Sequence, residues 1–134
     1  MPKTYKDVDD AILCTVCRFD EWEKGLNFFT TNEEAIQVGT WFYDKDKKLA
    51  RHKHRIYQRE TNRTMECIVV LSGSVLVKLY DDEYKFVSKF MLKSGDFSIF
   101  FRGGHEYEIC DNETRVIETK NGPFTSAEYD KELF

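Results

Sequence analysis

The sequence predicts an all-β barrel or sandwich that ends in a short C-terminal helix. The chain has 134 residues, which is the size of one domain with a core of its own. Aromatic residues make up 15% of it, and such side chains fit the half-buried surface of a pleated sheet. Short apolar runs alternate with turn signals at close intervals, as is typical of barrels and sandwiches.

The predicted elements follow one another without a linker or repeat, so we expect a single domain over residues 1–134 with a core barrel at about 35–122. The predicted strands lie at residues 11–19, 36–44, 49–57, 65–73, 74–82, 84–92, 97–101, 105–110 and 114–120, with a turn and a short extended piece at 20–30. The helix is predicted in the tail, where Thr125 stands three residues before Glu128 in the spacing of a capping box.

Composition excludes several classes of function. The net charge is -4, and the basic residues are interleaved with acidic ones, so no basic stripe favours nucleic acid. The longest apolar runs, such as "CIVVL", fall far short of the roughly 20 residues that cross a bilayer. The charged N-terminus lacks an apolar signal region. We therefore expect a cytoplasmic protein that contacts neither nucleic acid nor membrane.

Two histidines and a glutamate form the first candidate site. On a strand, His52 and His54 would share a face, because successive side chains point to opposite sides. Glu66 lies in "MECIVVL", which is apolar on both faces and is therefore predicted to be buried on both sides. A buried carboxylate needs a partner, because an unpaired buried charge is very costly.

The third histidine, His105, follows a glycine loop at the start of another predicted strand. All the histidines can thus be placed where they converge inside a barrel. Three imidazoles and one carboxylate would hold a divalent metal with open positions for a small molecule. The alternative is an edge strand at residues 49–57, because Arg51 and Lys53 make its other face polar.

These residues resemble two motifs of the cupin superfamily. The spacing His52-x-His54, then Glu66, then Gly73 is similar to the first motif, and "GDFSIFFRGGH", ending at His105, is similar to the second. From about residue 25 to residue 134 the chain also looks like a small group of bacterial cupins associated with surface-polysaccharide or sugar-nucleotide metabolism.

The resemblance implies a double-stranded β-helix, or jelly-roll, barrel. It also implies that His52, His54, Glu66 and His105 bind one divalent transition metal ion, with zinc, iron, nickel and manganese all open. On that basis we expect a metal-binding cupin that holds a small polar ligand and isomerises or epimerises a carbohydrate derivative.

Three alternatives stay open. The chain can be a non-catalytic binding or sensing module, or an iron-dependent dioxygenase. It can also be a metal-independent sugar-nucleotide 3,4-ketoisomerase that uses His52 and His54 as acid and base. Metal content separates this last alternative from the others.

Further side chains are candidates for the same pocket. Glu118 and Tyr107 are predicted to move a proton. Arg102, Lys120 and Arg63 are predicted to bind the ligand, which would favour an anionic sugar derivative. The alternative is that the arginines pair with surface glutamates.

A homodimer is also predicted. The run "CIVVL" is apolar on both faces, and Trp22 and Trp41 are expected to be exposed. A small barrel buries one face of each strand inside, so the other face would meet a second subunit, most often by two-fold symmetry.

Overall fold

Ten β-strands in three antiparallel sheets make up the computed structural model, which describes residues 1–134. The strands are β1 (Lys3–Lys6), β2 (Ile12–Cys17), β3 (Gly25–Phe28), β4 (Gly39–Phe42), β5 (Glu66–Ser72), β6 (Ser74–Tyr80), β7 (Phe86–Lys93), β8 (Phe97–Phe100), β9 (Gly104–Ile109) and β10 (Arg115–Lys120). A 3₁₀ turn at Phe19–Glu21 and one helical turn, α1 (Ala127–Asp130), complete the chain. The all-β prediction is confirmed at this level.

The strand order places two edges where the candidate site lies. The five-stranded sheet has the order β1-β2-β8-β5-β10, the three-stranded sheet has the order β7-β6-β9, and β3 pairs with β4. Strands β10 and β9 are therefore edges of the two larger sheets. No strand ladder joins the sheets into a closed barrel. Because β1 and β2 belong to the large sheet, the sheet structure begins well before residue 35.

Strand β5 is buried on both faces, as predicted. Ile68 and Val70 pack in the main core, which the five-stranded and three-stranded sheets share. Cys67 packs in a second apolar cluster on the other face, with Ile36 among its members. The segments around β3 and β4 supply a second apolar layer that covers this other face at Cys67, whereas Leu71 on the same face is 52% exposed.

This second layer covers part of the face of β5 that was expected to meet a second subunit. Trp22 packs against that layer, with its ring centroid 6.2 Å from that of Phe97, so the prediction that it is exposed is wrong. Trp41 is 64% exposed, as predicted. The homodimer itself stays a prediction.

The predicted strand at residues 49–57 is wrong. This segment has no regular structure, and every residue from 44 to 64 is exposed. Its alternation of basic and imidazole side chains offers no apolar face to bury, and Ile56 alone, fully exposed here, does not supply one. Strand β1 was not predicted, because it has only four residues, is mostly polar and lies at the edge of its sheet.

The C-terminal helix is confirmed but begins differently. Its N-cap is Ser126, whose hydroxyl accepts a hydrogen bond from the Tyr129 amide at 3.4 Å, so the predicted capping box of Thr125 and Glu128 is wrong. Neither this turn nor any other helix has the length and apolar character that crossing a membrane demands.

Candidate functional site

Four polar side chains meet where the edges of the two larger sheets face each other. Glu66, the first residue of β5, is 8% exposed and points into the space between the sheets. The Tyr107 hydroxyl donates a hydrogen bond of 2.8 Å to its Oε1. The His105 Nε2 lies 3.6 Å from its Oε2. His105 and Tyr107 reach the same carboxylate because alternate residues of β9 share a face.

Glu118 brings a second carboxyl to the cluster from β10. It pairs with Ile68 in the β10–β5 ladder, so it lies on the same face as Glu66. Hydrogen bonding to Glu66, together with the negative charge of Glu66, raises the pKa of Glu118. Glu118 is exposed and is therefore the carboxyl group that a ligand can reach.

Glu66 stays ionised although it is buried. Burial opposes its charged form, but hydrogen bonding with His105, the charge that this imidazole carries when it is protonated, and hydrogen bonds from Tyr107 and Glu118 outweigh that cost and lower its pKa. Burial, followed by the adjacent charge of Glu66, raises the pKa of Tyr107, so this phenol is a permanent neutral donor. The cluster therefore holds two neighbouring carboxyl groups whose pKa values are shifted in opposite directions.

An aromatic wall closes the inner side of the cluster. The Phe100 ring lies 4.5 Å from the His105 ring and 5.8 Å from the Tyr107 ring, measured between centroids. Phe100 is 3% exposed and belongs to the main core. Sequence reasoning did not single it out, although its place in "FSIFF", next to the second motif, could have indicated it.

The four predicted metal ligands are not brought together. Glu66 and His105 are neighbours, but His52 and His54 lie on the exposed segment 44–64, with their ring centroids 5.2 Å apart. His52 Nδ1 is 2.9 Å from the Ala50 carbonyl oxygen. No group of three or more His, Cys, Asp or Glu side chains is arranged to hold a metal ion. The predicted ligands do not fit a metal in this arrangement, and the metal stays a prediction.

The three predicted ligand-binding side chains lie in different surroundings. Arg102 donates to the Ile12 carbonyl at 2.7 Å and pairs with Glu34 at 3.5 Å. Arg63 pairs with Asp82 at 3.6 Å. Lys120, the last residue of β10, stands opposite Glu66 in the strand ladder and so lies nearest the cluster. Their ligand-binding role stays a prediction.

No protein-family model, curated protein or solved structure matches the chain. What the site residues can do therefore follows from their geometry alone.

Proposed function

We propose that this protein is a proton-transferring isomerase or epimerase that acts on a small carbohydrate derivative bound between the edges of β9 and β10. The observation that carries the proposal is the carboxyl pair of Glu66 and Glu118, held by Tyr107 and flanked by His105. Oppositely shifted pKa values in one cluster are the usual arrangement for acid–base chemistry.

We also propose the cupin double-stranded β-helix as the fold. Two facing antiparallel sheets of five and three strands support it. A second support is the distance of 3.6 Å between Glu66 and His105, the residues that the resemblance takes from two separate motifs.

The chemistry follows from which group holds a proton. Glu118 is the accessible acid and gives its proton to the carbonyl oxygen of the substrate. The His105 imidazole accepts the proton from the carbon next to that carbonyl, which leaves an enediol. Glu66 stabilises the resulting imidazolium through its negative charge.

Return of the two protons completes the reaction. If His105 delivers its proton to the neighbouring carbon, and Glu118 recovers one from a hydroxyl, the product is an isomer. If the enediol turns so that its other face meets His105, delivery to the same carbon, with Glu118 recovering its proton from the former carbonyl oxygen, gives an epimer. Tyr107 acts as a positioning residue in this scheme, because its hydroxyl fixes the Glu66 carboxylate.

The experiment follows exchange of substrate carbon-bound hydrogen with D₂O by NMR, over a panel of aldoses, ketoses, their phosphates and sugar nucleotides. Glu118→Gln should slow exchange by roughly 100-fold, since a positioned general acid contributes about that much. Glu108→Gln is the matched control, because Glu108 is an exposed carboxylate on β9 next to Tyr107 in sequence.

Equal exchange rates in wild type and Glu118→Gln would reject the proposed acid. Ligand binding without exchange in any member of the panel would reject turnover and favour the binding or sensing module.

A further inference from the structure

Residues 44–64, called the arm below, form the longest part of the chain without a helix or strand. All of them are exposed, and Ile56 is fully so. Between residues 47 and 59 the arm has six Lys and Arg residues and no Asp or Glu, and none of these six forms a salt bridge. Loops of this length without secondary structure are uncommon in compact domains, and those that are not linkers usually have a function.

Charge is divided unevenly between the arm and the rest of the chain. The arm has eight Lys and Arg residues against three Asp and Glu, whereas the rest of the chain has 12 against 21. The arm is therefore cationic on a protein whose net charge is -4. A second copy of the chain, outside its own arm, is an anionic partner for it.

Strand β9 is the edge that offers such an arm both unpaired backbone and negative charge. It pairs with β6 on one side and has no strand on the other. Residues 103–114, which contain this strand and the turn after it, have four exposed carboxylates and no Lys or Arg. Among these carboxylates only Glu106 has a salt-bridge partner, with Lys78 Nζ 3.8 Å from its Oε1. Glu108 stands opposite Leu76 in the ladder, so the neighbouring strand supplies no counter-charge for it.

Apolar side chains that face the interior are left uncovered at the same edge. Ile109 stands opposite Val75, a member of the main core, yet it is 59% exposed. On the facing edge, Val116 stands opposite the fully buried Val70 and is 37% exposed. Paired residues of a ladder share a face, so both side chains point between the sheets. The space between the sheets is therefore open along β9 and β10, and the chain itself provides no cover for it.

The arm has the alternation that this edge requires. In an extended chain, Lys53 and Arg55 share one face and Ile56 lies on the other. Along β9 the two glutamates likewise share one face, and Ile109 lies on the other. An arm that adds to β9 as a strand thus sets cations against carboxylates on the outer side, while Ile56 covers apolar side chains on the inner side.

The arm does not occupy the edge of its own chain. Its end is anchored beside that edge, because Arg63 pairs with Asp82 at 3.6 Å, and Asp82 accepts a hydrogen bond of 3.0 Å from the Gly103 amide, just before β9. No strand ladder joins the arm to β9, and the cationic residues stay exposed. Arm and edge are thus both free in one chain, and two copies can exchange them by a two-fold symmetric contact.

We propose that two copies of this protein form a dimer by exchanging arms, with residues 51–56 of each copy added as a strand to the β9 edge of the other. Main-chain hydrogen bonds supply affinity in such strand addition, and the alternating side chains supply specificity. This assembly goes beyond the proposed function and does not depend on it.

The first experiment measures the dimer dissociation constant by sedimentation. The arm variant Lys53→Glu with Arg55→Glu, and the edge variant Glu106→Lys with Glu108→Lys, should each weaken the dimer by roughly 100-fold, because like charges then face each other across the contact. Raising the salt from about 0.1 M to about 1 M should weaken the wild-type dimer by about tenfold, since the screening length falls from about 10 Å to about 3 Å.

The control reverses the same number of charges at the other edge of the three-stranded sheet. Lys89 and Lys93 are exposed residues of β7, so Lys89→Glu with Lys93→Glu changes the net charge as the arm variant does. This control should dimerise like the wild type. Circular dichroism of each variant verifies that it is folded.

The second experiment mixes the arm variant with the edge variant. Each is self-repelling, but in the mixture each arm meets an edge of opposite charge, so a one-to-one heterodimer should form. Native mass spectrometry detects it by its mass. Closure of the arm on β9 of its own chain would predict a monomeric wild type and no heterodimer, which separates the two arrangements.

Three results would overturn the proposal. The first is a wild type that stays monomeric at about 0.1 M salt. The second is a dimer that neither the arm variant nor the edge variant weakens, since that dimer uses another surface. The third is a monomer that binds double-stranded DNA and loses this binding in the arm variant, which would assign the arm to nucleic acid. A heterodimer formed only on mixing the two variants supports the exchange.

Discussion

Two buried carboxylates in this protein have the same exposure and opposite surroundings. Asp96 and Glu66 are each 8% exposed. Asp96 accepts hydrogen bonds from the backbone amides of Phe19 and Lys93, both at 3.0 Å, and from the Arg18 guanidinium at 2.9 Å. Glu66 is satisfied instead by side chains, of which His105 and Glu118 can themselves gain or lose a proton.

The nature of the donors decides what each carboxylate can do. Backbone amides and a guanidinium keep their protons across the whole accessible pH range, so Asp96 is a fixed junction between β2, β7 and β8. An imidazole and a carboxylic acid can exchange protons with a ligand and with one another, whereas the Tyr107 phenol keeps its proton and holds the carboxylate. Burial alone therefore does not identify a functional carboxylate, whereas titratable partners do.

The largest loss of stability should come from replacing Asp96, the carboxylate with the structural role. Asp96→Asn removes the negative charge beside Arg18 and replaces one acceptor oxygen by an NH₂ group, so at least one backbone amide loses its acceptor; it should lower the free energy of unfolding by about 3 kcal/mol. Asp44→Asn is the control, because Asp44 pairs with Lys24 on the surface and should cost less than about 0.5 kcal/mol. Urea unfolding measures both. A loss below about 1 kcal/mol for Asp96→Asn would contradict the role given to it.

A smaller loss of stability is expected when Glu66, the carboxylate of the candidate site, loses its hydrogen bond from Tyr107. Tyr107→Phe removes one hydrogen bond from Glu66 and should lower the free energy of unfolding by about 1 to 2 kcal/mol. It should also raise the pKa of Glu66, which NMR titration of its carboxyl carbon would detect. Tyr80→Phe removes an exposed hydroxyl that bonds Glu106 at 3.1 Å, and should change stability by less than about 0.5 kcal/mol. Equal costs for both variants would show that Tyr107 does not hold Glu66.

The sequence predicted the structural elements better than the site. Strands β5 to β10 follow from alternation and from turn residues such as Gly73, because their apolar faces are continuous. Glu66 was predicted to need a partner, since it interrupts a run that is apolar on both faces. That His105 lies near Glu66 was predicted from strand positions that can converge inside a barrel and from the family resemblance, but their direct contact was not predicted, because a contact across 39 positions (105 − 66) leaves no trace in local spacing.

Other parts of the site could not be predicted. His52 and His54 have strand-like spacing, but a strand also needs an apolar face, and the basic residues around them supply none. Asp130 and Phe134 stand in a tail that local rules describe only as a short helix. Asp130 contacts Thr64 and Phe134 packs on Tyr80, and these contacts are settled by the packing of the whole chain.

Glu66 and Glu118 should also differ in how their contributions to stability depend on pH. The pKa of Glu66 is lowered, so its contribution is present above its unfolded pKa and is lost as the pH falls through its folded pKa. The pKa of Glu118 is raised, so its contribution is present below its unfolded pKa and is lost as the pH rises through its folded pKa.

Glu118→Gln should therefore be compared with wild type from about pH 4 to about pH 8. The stability of the wild type relative to the variant should be greatest at the acid end and should fall as the pH rises. The stability of wild type relative to the Glu108→Gln control should not show this pH dependence, because that variant leaves Glu66 and Glu118 unchanged. A difference that grows toward alkaline pH would mean that Glu118 is not the group that holds the proton.

The smallest effect on stability should come from the exposed histidine pair, which contrasts with His105. His52 and His54 lie on a segment that is exposed throughout, so replacing both with alanine should change the free energy of unfolding by less than about 0.5 kcal/mol. His105→Ala should lower the free energy of unfolding by more, because its ring packs on Phe100 and its Nε2 faces Glu66.

Elemental analysis of protein purified without an affinity tag tests the predicted metal. If the resemblance holds for the metal as well, wild type should carry about one transition metal ion per chain, and either variant should lose it. Metal-free wild type after metal-supplemented growth would contradict the prediction. It would leave His105 as a partner of Glu66 alone and the exposed pair without a part in the site.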